Sequence, residues 1–146
     1  MPISIYLAIL GGGAAGAVCR HLLDTWIMNS LAASFPAISP FLYFPAGILA
    51  VNVLGAFCMG ALAGTLSRSG KDYLALHSLL GTGFLGSFTT FSTFSLNTFS
   101  LLLLEGLLPA LANILLNVLL GLLAVWAGFR LFGPRRTAAP SGSRAE

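Results

Sequence analysis

Apolar residues do not alternate with polar ones along this chain; they come in four long blocks separated by short polar or Gly/Pro-containing stretches. The blocks run from Ile3 to Met28, interrupted by Arg20, His21 and Asp24, then from Phe41 to Leu66, Leu74 to Leu104 and Leu107 to Phe132. A helix rises about 1.5 Å per residue, so roughly 20 apolar residues cross a hydrocarbon layer of about 30 Å. Each block is long enough. The pattern predicts an all-α integral membrane protein with four transmembrane helices, at about 3–28, 42–66, 74–104 and 107–132. These form one domain spanning 1–133, with a disordered tail over 134–146.

Composition agrees with lipid as the solvent. Hydrophobic residues make up 57% of the chain and charged residues 8%, with a mean hydropathy of +0.93. A soluble domain carries about 25% charged residues. The first block has no Lys or Arg before it and outlasts a signal peptide, so it is read as a span. Cys19 and Cys58 fall in the first and second blocks, with no CxxC spacing, and read as small core fillers.

Charge sets the expected orientation. Arg68, Lys71, Arg130, Arg135, Arg136 and Arg144 all fall on the side shared by the N-terminus, the second connection and the tail. The opposite loops hold no Lys or Arg, so the positive-inside rule puts both termini in the cytoplasm. Trp26, Phe41, Tyr43 and Phe44 suit an aromatic belt at the headgroups of the other side. Gly12 and Gly16 in the first block, and Gly60 and Gly64 in the second, have the spacing that lets membrane helices approach closely.

The third block departs from an ordinary span. Gly81, Gly83 and Gly86 lower helix stability by about 1 kcal/mol each relative to Ala. Ser87, Thr89, Thr90, Ser92, Thr93 and Ser95 offer the backbone non-helical partners. The block would be about 46 Å long as a straight helix, more than the hydrocarbon needs. Two readings stay open on spacing alone. Either the helix breaks near Gly86 to Thr90 at mid-membrane, where a broken helix builds an ion site, or the hydroxyls back-bond within an intact, packed helix.

The stretch "GFLGSFTTFSTFS" resembles the signature of the CrcB/Fluc fluoride channel family, and "GAVCRHLL" and "NVLGAFCMG" support the resemblance. It covers about residues 3 to 133. It implies a dimer of two subunits in opposite orientations (dual topology) in the cell inner membrane, with two fluoride pores and a central structural sodium ion. By the resemblance, Gly86 and Thr89 supply backbone carbonyls to the sodium. Phe91 and Phe94 match the phenylalanines lining each pore, Asn52 the asparagine that meets the ion path, and Thr90, Ser92 and Thr93 the surrounding hydroxyls. Asn113 and Asn117, one turn apart on the fourth helix, fall about where relatives place a Tyr/Ser polar track. Arg20 reads either as snorkelling to an interface beside Asp24 or as an electropositive vestibule.

The chemistry suits a small, strongly hydrated anion. Neutral carboxamide and hydroxyl donors, with the positive edges of aromatic rings, replace water without binding so firmly that release fails. Two departures from the family stand out. Asn97 falls where many relatives carry an acid, and the one-sided Lys/Arg distribution asks either for an oppositely oriented partner, self or paired homologue, or for tail charges that count for less. The rivals are a four-helix proton-coupled exporter, which needs a mid-membrane carboxylate that Asp24, Asp72, Glu105 and Glu146 do not supply, and a non-conducting accessory subunit. Enzyme chemistry has no nucleophile–base pair, metal cluster or phosphate loop to stand on.

Overall fold

A computed structural model of the chain describes residues 3–34, 44–69 and 74–134. It is all-helical over these residues. Helix α1 spans Ile3–Ser34 and α2 spans Ala46–Ser69. The third span comes in pieces: α3 (Leu74–Leu76), a π-helical stretch (His77–Leu85), α4 (Gly86–Phe88) and, after a break, α5 (Phe91–Leu104). Helix α6 covers Leu107–Phe132, the bounds the hydropathy predicts. Among the described residues three unbroken helices are long and apolar enough to cross a membrane, at Ile3–Ser34, Ala46–Arg68 and Leu107–Phe132. The broken third span makes the fourth crossing.

Boundaries differ from the sequence reading where polar residues are helix-compatible. Helix α1 runs past Met28 to Ser34; Ser30 Oγ donates to the Trp26 carbonyl at 2.7 Å and so needs no other partner in a helix. Helix α2 begins at Ala46 rather than 42, after Pro45, whose carbonyl accepts from Leu49 N at 3.0 Å. The expected belt residues Phe41 and Tyr43, the connection at Gly70, Lys71 and Asp72, and the tail from Arg135 onward lie outside the described residues. Between α5 and α6 the chain turns at Gly106, whose φ of 97° is the one positive value among the described glycines. That conformation favours a residue without Cβ.

Lipid drives no helix association by the hydrophobic effect, so close backbone approach does. Both predicted glycine pairs sit at such approaches. A Cβ on Gly12 would collide with the Leu79 carbonyl, and one on Gly16 with the Phe84 carbonyl, so α1 lies directly on the π-helical stretch. A Cβ on Gly60 would meet the Val125 carbonyl, while Gly128 of α6 sits on the Phe57 carbonyl of α2. Helix α2 and α6 form the most extensive pair, followed by α1 with the π-helical stretch; α5 leans on α6. The two halves of the third span therefore rest on different partners. Cys19 is exposed, so it fills no core within the subunit; Cys58 is half-buried.

Large apolar side chains such as Leu108, Leu103, Leu131 and Trp126 are exposed along the outer faces, as a lipid-facing surface requires. Replacing Gly128 by Val should lower the thermal midpoint in detergent, by overpacking worth about 1–3 kcal/mol. Gly11→Ala, with nothing within 4 Å of the added Cβ, should leave the midpoint unchanged. Melting curves of the two purified variants check this.

Candidate functional site

The break has a local cause and a tertiary brace. The first half of the third span is underwound into i→i+5 bonding: the Gly86 N–H reaches the Gly81 carbonyl as well as that of Gly83. Runs of glycine tolerate this wider coil because they bring no side chains to crowd it. Thr89 then turns extended (φ −77°, ψ 155°), and Thr90 follows (φ −148°, ψ 120°). Thr89 still ties back to the helix behind it, since its N–H and its hydroxyl both donate to the Leu85 carbonyl at 3.0 Å. Thr90 opens the helix ahead. Its Oγ1 accepts from Thr93 N at 3.2 Å, an N-cap, and donates to Thr93 Oγ1 at 3.1 Å. Ser92 Oγ lies 3.2 Å from the same hydroxyl.

What holds the gap open is Asn52 on α2. Its Oδ1 accepts the Thr90 N–H at 2.9 Å, and its Nδ2 faces the Thr90 carbonyl at 3.4 Å. The carboxamide thus supplies an acceptor and a donor to one residue's backbone, as a neighbouring strand would. Two helical donors are diverted as a result. In an unbroken helix Thr90 N would donate to the Gly86 carbonyl, and Thr93 N to that of Thr89; here they serve Asn52 Oδ1 and Thr90 Oγ1 instead. The Gly86 and Thr89 oxygens are thus two of the carbonyls at the break that lose their ordinary helical donors. Hard neutral oxygens of this kind suit an alkali cation, so the residues present fit the sodium that the resemblance implies.

Beside the break lies an open groove of about 470 Å³. Asn52, Thr89, Thr90, Phe91, Phe94 and Asn117 line it, along with Gly55, Ala56, Met59, Val118, Gly121 and Val125; no lining side chain carries a formal charge. The Phe91 and Phe94 rings sit 5.7 Å apart at 48°. Phe91 is 80% exposed and projects off the subunit, whereas Phe94 is half-buried. Phe84 and Phe88 stack on each other, 5.8 Å apart, and Phe88 is buried, so this pair packs rather than lining the groove.

The sequence-predicted residues divide by place. Asn52, Thr89, Thr90, Phe91, Phe94 and Asn117 converge on the groove, while Thr93 and Ser92 stand one turn behind as partners of the Thr90 hydroxyl. Gly86 is exposed on the first half of the broken span. Arg20 and His21 lie on α1 and His77 at the start of the π-helical stretch, all outside the groove lining. Asp24 packs against Gly47 of α2, and Asn97 is half-buried on α5. Asn113 has 0% exposure and also stands outside the groove lining, so it meets the groove only through Asn117. Sequence reasoning missed Thr98, whose Oγ1 accepts from Asn113 Nδ2 at 2.8 Å. The signal was available: a carboxamide buried on an apolar helix demands a polar partner.

A helical membrane protein with its third span broken at mid-length, and with an uncharged polar groove at the break, has the architecture of an ion-conducting protein rather than of a simple anchor. Residues 7–129 match the family described as CrcB-like protein, Camphor Resistance (CrcB), and the chain belongs to that family. Among similar proteins is the "Fluoride-specific ion channel FluC" of Hahella chejuensis, 43% identical over 131 residues, 90% of this chain and 94% of that one. The protein of the same name from Campylobacter lari is 41% identical over 130 residues, covering 89% and 98% of the two chains. The "Fluoride-specific ion channel FluC 2" of Symbiobacterium thermophilum is 42% identical over 124 residues, covering 84% and 93%.

Substituting Asn52 by Leu should destabilise the fold by about 1–3 kcal/mol, because it strands the Thr90 N–H away from water. Thermal unfolding in detergent reads the loss. An unchanged midpoint would show that the break is held by something other than this carboxamide.

Proposed function

We propose that this chain is a fluoride-specific channel that lets fluoride leave the cytoplasm passively across the inner membrane and so lowers cytoplasmic fluoride. The observation that carries this reading is the break at Thr89 and Thr90, which opens onto a groove offering hydroxyls, carboxamides and ring edges but no charge. The names of the relatives point the same way. A bare anion enters only where donors replace its hydration, and leaves only if none of them binds too tightly. Thr90, Ser92, Thr93, Asn52 and Asn117 are neutral groups whose donors now bond within the protein and would exchange those bonds for a passing ion, and Phe91 and Phe94 present the positive edges of their rings. A basic residue in the groove would attract fluoride more strongly and release it more slowly. Arg20, on α1, is assigned to the approach rather than the path.

The working unit is a dimer of oppositely oriented subunits, formed with a second copy or a paired homologue. Phe91, 80% exposed at the groove, supports this, because a pore ring facing only lipid would meet no ion. At the dimer centre the Gly86 and Thr89 carbonyls would hold the structural sodium, which supplies a fixed positive potential beside the anion path. Arg68 and Arg130, near the ends of α2 and α6, support cytoplasmic termini for one of the two orientations. A proton-coupled exporter would need a carboxylate in its path, and the groove lining has none.

Liposomes carrying the purified protein and monitored with a fluoride electrode should release fluoride far faster than chloride. Phe91→Ile or Phe94→Ile should cut fluoride release about tenfold or more, the rate equivalent of losing one ring-edge contact. Equal release of the two halides would end the proposal.

A further inference from the structure

Three carboxamides and one hydroxyl form a chain of hydrogen bonds that crosses from α5 through α6 to α2. The Thr98 hydroxyl donates to the Phe94 carbonyl at 2.7 Å and accepts from Asn113 Nδ2 at 2.8 Å. Asn117 Nδ2 donates to the Oδ1 and to the backbone oxygen of Asn113, both at 3.0 Å. Asn52 Nδ2 donates to Asn117 Oδ1 at 3.0 Å, and Asn52 Oδ1 accepts the Thr90 N–H. No buried side-chain nitrogen or oxygen among the described residues lacks a partner.

The chain has a direction, because a carboxamide is an acceptor at one end and a donor at the other. The Thr98 proton is committed to a carbonyl, which can only accept. The hydroxyl therefore turns a lone pair toward Asn113 and obliges Asn113 to present its Nδ2. Asn113 then offers Oδ1 to Asn117, which must donate in return and so shows its own Oδ1 to Asn52. Asn52 is left one orientation: Nδ2 toward Asn117, Oδ1 on Thr90. Reversing Asn117 or Asn52 sets like atoms against each other at their contacts, and reversing Asn113 does so toward Asn117 and pulls the Thr98 proton off the Phe94 carbonyl. The low dielectric of a membrane interior makes such mismatches costly.

We infer that Thr98 is a positioning residue for ion passage, acting through Asn113 and Asn117 to reinforce, from the α6 side, the orientation that the Thr90 N–H and carbonyl already give the Asn52 carboxamide. The inference rests on the fluoride reading above. Neither Thr98 nor Asn113 lines the groove, so their influence on an ion passes through the chain. With Asn52 reversed, the groove wall beside Thr90 would turn an oxygen where an anion needs a donor, and the Thr90 N–H would lose its acceptor. Discrimination between halides depends on donors held in fixed places, so loss of orientation should appear in selectivity as well as in rate.

The test compares Thr98→Val, which keeps the shape and removes the hydroxyl, with Thr98→Ser, which keeps the hydroxyl. Thr65→Val serves as a control, since Thr65 only back-bonds to the Ala61 carbonyl on an exposed face. All are reconstituted from protein eluting at the wild-type position in gel filtration, and Thr98→Ala replaces Thr98→Val if the latter does not elute there. Thr98→Val should reduce fluoride release about tenfold and lower the fluoride-to-chloride ratio, and Thr98→Ser should restore both. A ratio that stays at the wild-type value, with only the melting temperature reduced, would make Thr98 a plain tie between α5 and α6 and overturn the inference. So would a serine variant as impaired as the valine. Wild-type protein that fails to prefer fluoride would instead remove the functional proposal on which the inference rests.

Discussion

The structure depends on one side chain doing the work of a missing backbone. Helices span lipid because each peptide group bonds within its own coil, and a gap in the coil leaves polar groups that hydrocarbon cannot solvate. At Thr90 that debt falls on Asn52, whose carboxamide meets both the N–H and the C=O of one residue. The Thr90 hydroxyl caps the helix that restarts beyond it. The two interactions do more than seal the gap. By occupying the Thr90 and Thr93 amides, they deprive the Gly86 and Thr89 carbonyls of their helical donors and make those oxygens available for other chemistry.

The break survives because its two sides are anchored separately. The π-helical stretch before it is pressed onto α1 at Gly12 and Gly16, while α5 beyond it leans on α6, itself locked to α2 through Gly60 and Gly128. A π-helical coil is wider and shorter than an α-helix of the same length. Glycines at 81, 83 and 86 make that coil tolerable, and the absence of side chains at 12 and 16 lets α1 follow it. Asn52 stands on the helix that faces both α6 and the break, which is why one residue touches the break on one side and the carboxamides of α6 on the other.

Much of this was legible in the residues. Block lengths predict four spans, and the glycine pairs mark where backbones meet. The hydroxyl-rich motif leaves open both a break near Gly86 to Thr90 and an intact helix, and the family resemblance favours the break. The π-helical winding was not legible, since i→i+5 bonding leaves no hydrophobic period of its own and arises from packing against α1. The end of α1 was misjudged because Asn29, Ser30 and Ser34 read as a loop, although serine satisfies itself by back-bonding inside a helix. Asn113 shows the limit of matching positions by spacing. Its place one turn from Asn117 is right, yet rotation about the α6 axis turns it fully inward. Spacing along a helix says which residues share a face, and only the neighbours say what that face meets. Thr98 was passed over as one more hydroxyl among many, since its importance comes from a partner that follows it on the next helix.

The pairing of α2 with α6 bears on how the chain is made. A ribosome delivers α2 to the bilayer long before α6 exists, so the glycine furrow of α2 and the amide of Asn52 enter lipid without their main counterpart. Once the third span has supplied Thr90, one Asn52 N–H still waits in hydrocarbon for Asn117 of α6, an unpaired donor costing about 1–3 kcal/mol. Arrest or truncation between Leu104 and Leu107 would therefore leave an intermediate distinguished from the finished bundle by one unpaired Asn52 N–H and by an uncovered Gly60 furrow.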